Sequence, residues 1–248
     1  MIYVLIPFYN EKKNLPYLID NLSKKLEYKN IFYVFSDDGS SDNSIEIIES
    51  KINQAKLKII SDGKNHGPGH AFDKGFEWII NNSVGENDVV VTMESDSTSD
   101  VNILENMLQI NNLGYDLVLA SVYAQGGGFD KTSFFRKLIS SIANLLFRYF
   151  FNLKVLTLSS FYRVYNVSLL RKIKNEYGII IKEKGFICML EILLKSVNVN
   201  AKIIEVPMVL KSDLRQGKSK LKIVKTSYAY FKFLIRNINK SNGSKKNY

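Results

Sequence analysis

A single cysteine among 248 residues, Cys188, excludes an internal disulfide and points to a reducing compartment. Within Phe186-Ile187-Cys188-Met189-Leu190 it reads as a small core residue. No apolar run reaches about 18 residues without a charge, so no membrane-spanning helix is expected. The chain opens on the strand-like Ile2-Tyr3-Val4-Leu5-Ile6, with no space for a charged leader and cleavage site, and no signal peptide is expected. Histidine is scarce as well. His66 and His70 are four apart, but Gly67-Pro68-Gly69 between them argues against a helical zinc pair, and no third ligand is evident. Acids are missing from one long stretch: between Asp116 and Glu176 only Asp130 stands.

What is present is a chain that is 46% hydrophobic, enough for one large core. The formal charge of +10 is concentrated at one end, because eleven Lys and Arg face the single acid Asp213 from Lys211 onward, and the first 210 residues balance. Such a segment suits a polyanion: lipid head groups, nucleic acid or a diphosphate. No recognised DNA or RNA motif accompanies it, so nucleic acid is not expected as a partner. Residues 240–248 read as a flexible, solubilising basic tail.

Strand-like runs at 2–6, 31–36, 57–61, 88–93 and 116–121 alternate with helical patterns near 12–27, 43–54, 69–81 and 101–112. That alternation predicts an α/β fold with a mostly parallel sheet flanked by helices. Beyond the Gly-rich loop at 125–128, a helix is predicted near 134–151, then mixed short elements, then a basic aromatic helix over 221–239. In the first of these helices Phe135, Leu138, Ile139, Ile142, Leu145, Leu146, Tyr149 and Phe150 follow helical spacing, while Arg136, Lys137, Ser140, Ser141, Asn144 and Arg148 hold the opposite stripe. An apolar face beside a basic one suits either a membrane interface or a helix packed on the sheet. In the C-terminal helix Tyr228, Tyr230, Phe231, Phe233 and Leu234 lie among Lys222, Lys225, Lys232 and Arg236, the mixture an anionic interface attracts.

The chemistry-bearing residues cluster at predicted strand ends. Val89-Val90-Val91-Thr92-Met93 runs into Glu94-Ser95-Asp96, two carboxylates at i, i+2 that would share a face of an extended strand and could approach one hard divalent cation. Pro7-Phe8-Tyr9-Asn10-Glu11 follows the first strand and Ser36-Asp37-Asp38-Gly39-Ser40-Ser41-Asp42 the second, so their carboxylates fall on the same sheet edge, where ribose hydroxyls and a base N–H could donate to them. A Gly-x-Gly-x-x-Gly turn is absent after the first strand, which argues against a dinucleotide oxidoreductase.

Four motifs in this order resemble family 2 glycosyltransferases of the GT-A fold: Pro-x-Tyr-Asn-Glu at 7–11, Asp-Asp-Gly-Ser-x-Asp at 37–42, Asn-x-Gly-x-Gly-x-Ala at 65–71 and the acidic pair at 94–96. The second half is similar to polyprenyl-phosphate transferases of the dolichyl-phosphate mannosyltransferase type, through Phe135-Arg136-Lys137-Leu138-Ile139-Ser140, Ser160-Phe161-Tyr162-Arg163 and Arg215-Gln216-Gly217-Lys218-Ser219-Lys220. The resemblance implies a transferase domain over 1–220, with 1–121 binding the nucleotide sugar and 122–220 the acceptor. It places Pro7, Tyr9, Glu11, Asp37 and Asp38 around the nucleoside, and Glu94 and Asp96 on Mg²⁺ or Mn²⁺, with Ser95 beside the donor. Arg136 and Ser133 would face the acceptor phosphate, and Arg215 and Lys218 would close over the donor phosphates. Asp96, Arg136 and Arg215 are the catalytic candidates. The implied reaction moves a hexose-type sugar to a polyprenyl phosphate at the cytoplasmic face of an anionic membrane. The alternative acceptor is a saccharide hydroxyl, with Asp130 as base. The chain departs from the family pattern at Glu94, where Asp is usual, and at Thr98, Val122 and Thr157, where Gln, Arg and Asp are expected.

A phosphate acceptor also fits the shortage of acids. A sugar hydroxyl must lose a proton as it attacks and needs a carboxylate base, whereas a phosphate is already anionic near neutrality and needs cations.

Overall fold

The computed structural model describes the backbone of all residues except 28, 132–133, 218–222 and 245–248, and the side chains of the others except 134–137, 139, 223–225 and 238–244. Ser133 and Lys218 therefore lie outside the described residues, as does the side chain of Arg136.

The first half is built as its alternation predicts. Strands β1 (Ile2–Phe8), β2 (Ile31–Asp37), β3 (Leu57–Ile60) and β4 (Val89–Thr92) are parallel, and helices α1 (Leu15–Lys25), α2 (Ser44–Lys51), α3 (Pro68–Asn82) and α4 (Leu104–Asn112) return the chain between them or to β5 (Leu117–Ser121). Side chains alternate across β1: Val4, Ile6 and Phe8 join the core under α1, α2 and α4, and Tyr3 and Leu5 join the core under α3. Both faces are covered, which is why β1 reads as a continuous apolar run.

The second half departs from the predicted mixture of short elements. A short β6 (Gly128–Asp130) leads into α5 (Phe134–Phe151), and β7 (Arg163–Asn166) then enters the sheet antiparallel between β4 and β5. Two full helices follow, α6 (Val167–Tyr177) and α7 (Cys188–Asn198), then β8 (Ile203–Pro207), β9 (Val209–Lys211) and α8 (Ile223–Ser244). The seven-stranded order is β3-β2-β1-β4-β7-β5-β8, with β6 and β9 forming a separate parallel pair. The fully buried Arg163 explains why β7 escapes an apolar-run reading. Its guanidinium donates to the carbonyls of Leu158, Ser160 and Met189 and to the Tyr165 hydroxyl, so every donor direction used is satisfied internally.

Helix α5 is turned the unusual way out. Leu138, Ile142, Leu145, Leu146, Tyr149 and Phe150 are exposed, Tyr149 by 81%, and the buried side carries Asn144 and Phe147. Phe147 packs edge-on against Tyr230 of α8, whose Phe233 and Leu234 are buried in the main core while Tyr228, Phe231 and Ile235 face outward. No helix among the described residues is long and apolar enough to cross a membrane.

Candidate active site

Parallel pairing of β1 and β2 in the register Phe8 to Asp37 starts the two following loops at one level of the sheet's carboxyl edge. Those loops are laced together. Asn10, at φ 51°, donates its N–H to Ser40 Oγ at 2.9 Å and accepts through Oδ1 from the N–H groups of Ser41 at 2.7 Å and Asp42 at 3.2 Å. Asp37 accepts from Ser40 N–H at 2.9 Å and Ser61 Oγ at 2.7 Å. Asp38 accepts from the N–H groups of His66 and Gly67, both at 2.8 Å. Burial pushes the Asp38 carboxyl up and these two N–H groups pull it back. Gly67 is required where it stands: φ is 97° and a Cβ would meet the Lys184 carbonyl. Pro7 is buried within β1, Tyr9 is half-buried at the rim, and Glu11 is buried. Asp37 and Asp38 are thus already structural acceptors within the loops.

The acidic pair differs from its strand-based reading. β4 stops at Thr92, so Glu94 and Asp96 sit in the turn beyond it and no strand alternation orients them. Glu94 is half-buried, as Asp96 is, and its Oε1 accepts from Phe161 N–H at 3.2 Å and its Oε2 from Ser99 Oγ. Burial, then the neighbouring Asp96 charge, hold its carboxyl above the usual range. Asp96 has different partners. Its Oδ1 accepts from Thr98 Oγ1 at 2.7 Å, and its Oδ2 from Arg215 Nε at 2.7 Å, with the Arg215 terminal nitrogen against the same oxygen. Ser95 is buried between them.

Arg215 reaches Asp96 because the loop bearing it is fastened to the first strand's loop. Gln216 N–H donates to Asn14 Oδ1 at 2.8 Å, and Asn14 Nδ2 donates to Gln216 O at 3.1 Å and Glu11 Oε2 at 2.6 Å. Ser97 Oγ donates to the Asn14 carbonyl at 3.3 Å, so three loops meet on one buried asparagine. Sequence reasoning missed Asn14. Its position three after Glu11, opening α1 ahead of Pro16, was the available signal, although it makes no side-chain cap bond to that helix.

Arg136 lies in the first turn of α5. Tyr123 OH donates to Ser140 Oγ at 2.8 Å on the inward side of that helix, and one and two turns on, Asn144 Nδ2 and Arg148 Nε are buried without a partner among the described residues. Asp130 is half-buried at the end of β6, beside Lys131. The expectation that the histidines lack a third ligand is corrected: the β3–α3 loop folds Asp62 back onto both of them, with Asp62 Oδ2 3.0 Å from His66 Nε2 and 3.8 Å from His70 Nε2.

The family model "Glycosyl transferase family 2" matches residues 3–174. The chain belongs to glycosyl transferase family 2. It is 30% identical over 233 residues to a dolichol-phosphate mannosyltransferase from Pyrococcus furiosus, covering 94% of this chain and 62% of that one. It is 25% identical over 231 residues to a polyprenol monophosphomannose synthase from Mycolicibacterium smegmatis, covering 92% of this chain and 84% of that one. The chain thus spans under two thirds of the archaeal relative's length. Glucosyl-3-phosphoglycerate synthase from Mycobacterium tuberculosis, crystallised with Mn²⁺, uridine-diphosphate-glucose and glycerol 3-phosphate, superposes with a TM-score of 0.63 at 15% identity over 95% of this chain and 77% of that one. That likeness shows the fold, an α/β sheet of the GT-A type.

Proposed function

We propose that this family 2 glycosyltransferase moves a hexose-type sugar from a nucleotide sugar to an acceptor, with inversion, across the carboxyl edge of β1, β2 and β4. The observation that carries this reading is Arg215 on Asp96. A cation from a remote loop lies on one carboxylate of an acidic pair, above the Asp37, Asp38 and Glu11 loops. The donor set fits Mg²⁺ or Mn²⁺: two carboxylates that repel one another, one of whose oxygens already faces a positive charge. Asp96 and Glu94 would hold such an ion. The ion would offset charge developing on the leaving diphosphate. Arg215, released from Asp96, would turn its donors to the same oxygens. Asp37, Asp38 and Glu11 would accept from the nucleoside, and attack from the side opposite the diphosphate would invert the anomeric carbon.

For the acceptor, one reading is a polyprenyl phosphate at the cytoplasmic face of a membrane. Its supports are the names of the two sequence relatives, the outward apolar row on α5 and α8, and the buried donors Asn144 Nδ2 and Arg148 Nε. Exposed apolar surface on paired helices suits a bilayer interface. A second reading is a saccharide hydroxyl, with Asp130 as base. Its support is Asp130 itself, the one acid between Asp116 and Glu176, half-buried at the end of β6.

The experiment is transfer from a panel of nucleotide sugars to a short polyprenyl phosphate and to oligosaccharides, with anomeric configuration read by NMR. Arg136→Ala should raise the KM for the lipid phosphate and leave donor binding intact. Transfer only to oligosaccharides, abolished in Asp130→Asn, would establish the second reading. Retention of anomeric configuration would contradict in-line chemistry.

A further inference from the structure

The three side chains Asp62, His66 and His70 offer ligand atoms that all lie within 4.8 Å of one another, the only such group of three His, Cys, Asp or Glu among the described residues. We propose that they form a second metal site, specific for a borderline ion of the Zn²⁺ class and separate from the acidic pair at Asp96.

The geometry is close to what such an ion requires. Metal–ligand bonds of about 2.0–2.1 Å in a tetrahedron put neighbouring ligand atoms about 3.4 Å apart. Here Asp62 Oδ2 is 3.0 Å from His66 Nε2 and 3.8 Å from His70 Nε2, and the two imidazole rings are tilted at 59° with centroids 4.6 Å apart. The carboxylate is pre-oriented: Lys64 N–H donates to Asp62 Oδ1 at 3.0 Å, which leaves Oδ2 turned to both rings. Holding a ligand by its other atom is how outer-shell bonds prepare a metal site. The backbone makes the approach possible. Residues 66 and 70 would stand one turn apart on a continuous helix, but here α3 starts at Pro68 behind a left-handed Gly67, so His66 enters from the loop while His70 sits in the helix's first turn. Exposure of 31% and 32% at the two imidazoles leaves the fourth position to solvent.

Ligand chemistry separates this site from the first. Imidazole selects Zn²⁺, Co²⁺, Ni²⁺ or Cu²⁺ over Mg²⁺, whereas an all-carboxylate pair suits Mg²⁺ or Mn²⁺. Position gives the second site a consequence. The N–H groups of His66 and Gly67 hold Asp38, so an ion clamping 62, 66 and 70 would stiffen the loop that orients a proposed nucleoside acceptor.

The test uses the full chain with millimolar Mg²⁺ present to occupy the harder site. Zn²⁺ is titrated against a chromophoric chelator, and Co²⁺ is read by its visible absorption. The expected result is one Zn²⁺ per chain and Co²⁺ bands of tetrahedral intensity. Affinity should fall at least about tenfold, for loss of one of three ligands, in His70→Gln and in Asp62→Asn, and stay unchanged in Asp96→Asn. Melting curves in chelator check that each variant folds, and the Co²⁺ spectrum of the unaltered chain decides the matter if a variant does not. Absence of stoichiometric Zn²⁺ binding, octahedral Co²⁺ bands alone, or affinity kept in His70→Gln and lost in Asp96→Asn would overturn the proposal.

Discussion

The loops on β1 and β2 and the helices α5 and α8 treat their polar and apolar groups in opposite ways. Around β1 and β2, carboxylates take backbone N–H, hydroxyl or side-chain amide donors: Asp37 from Ser40 and Ser61, Asp38 from His66 and Gly67, Glu11 from Asn14 Nδ2. Around α5, large apolar side chains face outward and two buried nitrogens are unpartnered among the described residues. A region whose groups are internally satisfied is organised before its ligand arrives. A region that exposes Tyr149 and Leu145 while burying Asn144 expects something outside the chain to complete it. On the proposed function, the first region would serve donor recognition and the second would meet the acceptor at a surface.

The sharpest way to break that division is at Asp96. Asp96→Asn should lower transfer by on the order of 10²–10³-fold or more, the scale of losing a charge-stabilising group, with the melting temperature nearly unchanged. Residual activity that no longer responds to added Mg²⁺ would agree with the assignment, and full activity in excess chelator would refute it. Arg215→Ala comes next, at about 10²-fold in kcat, because its guanidinium should act on the leaving diphosphate. If Arg215 instead only neutralised Asp96 in the resting protein, its loss would leave kcat untouched.

Asn14→Ala sharpens the comparison from the prepared side. It frees the Arg215 loop and leaves Glu11 Oε2 and the Gln216 backbone without their bonds, at about 1–3 kcal/mol in stability. Donor KM should rise on the order of tenfold for the same free-energy scale, and kcat should change less. A kcat collapse with unchanged KM would place Asn14 in the chemistry instead. The smallest effects belong to the surface. Leu145→Ser with Tyr149→Ser should weaken binding to anionic vesicles in a salt-insensitive way, with folding stability within about 0.5 kcal/mol of the original. Charge reversal at exposed Lys232 should weaken binding to anionic vesicles by about 2 kcal/mol at low salt, one for each charge unit, and by less as added salt shortens the Debye length below about 8 Å. A chain cut at Ser212 would be a poor substitute, because it removes the buried Phe233 and Leu234.

Much of the prepared half is legible in the sequence for one reason: parallel strands buried on both faces are near-continuous apolar runs, and the acidic loops begin where those runs stop. β1, β2, β3 and β5 end within two residues of their expected limits. The reading failed where one residue carries two meanings. Arg163 interrupts an apolar pattern and is nevertheless a core residue, held by three carbonyls, so β7 was hidden. The i, i+2 spacing of Glu94 and Asp96 suggested a shared strand face, but β4 ends two residues before Glu94, and the two carboxylates take different partners, Phe161 and Ser99 for one and Thr98 and Arg215 for the other. The apolar row of α5 was visible as a periodicity, but which side faces the core is decided by Phe147 and the α8 contact, and periodicity alone carries no direction. Asn14 was missed because its bonds to Gln216 span 202 residues, and Asp62 because the loop that turns it back onto His66 and His70 is not a helix.

The central claim, a nucleotide-sugar donor held at the β1–β2–β4 edge through a cation on Asp96, is tested most directly by a thermal-shift screen. Nucleoside diphosphates and their sugars would be added to the full chain and to Asp96→Asn, each with and without Mg²⁺. Ligand binding to the folded state alone raises the melting temperature, by an amount equivalent to about 2.7 kcal/mol at a hundredfold excess over Kd. The prediction is that one nucleoside stabilises the chain strongly only when Mg²⁺ is present and that the Mg²⁺-dependent part vanishes in Asp96→Asn. Stabilisation that is the same with and without Mg²⁺ and the same in both proteins, or no stabilisation by any nucleotide, would contradict it.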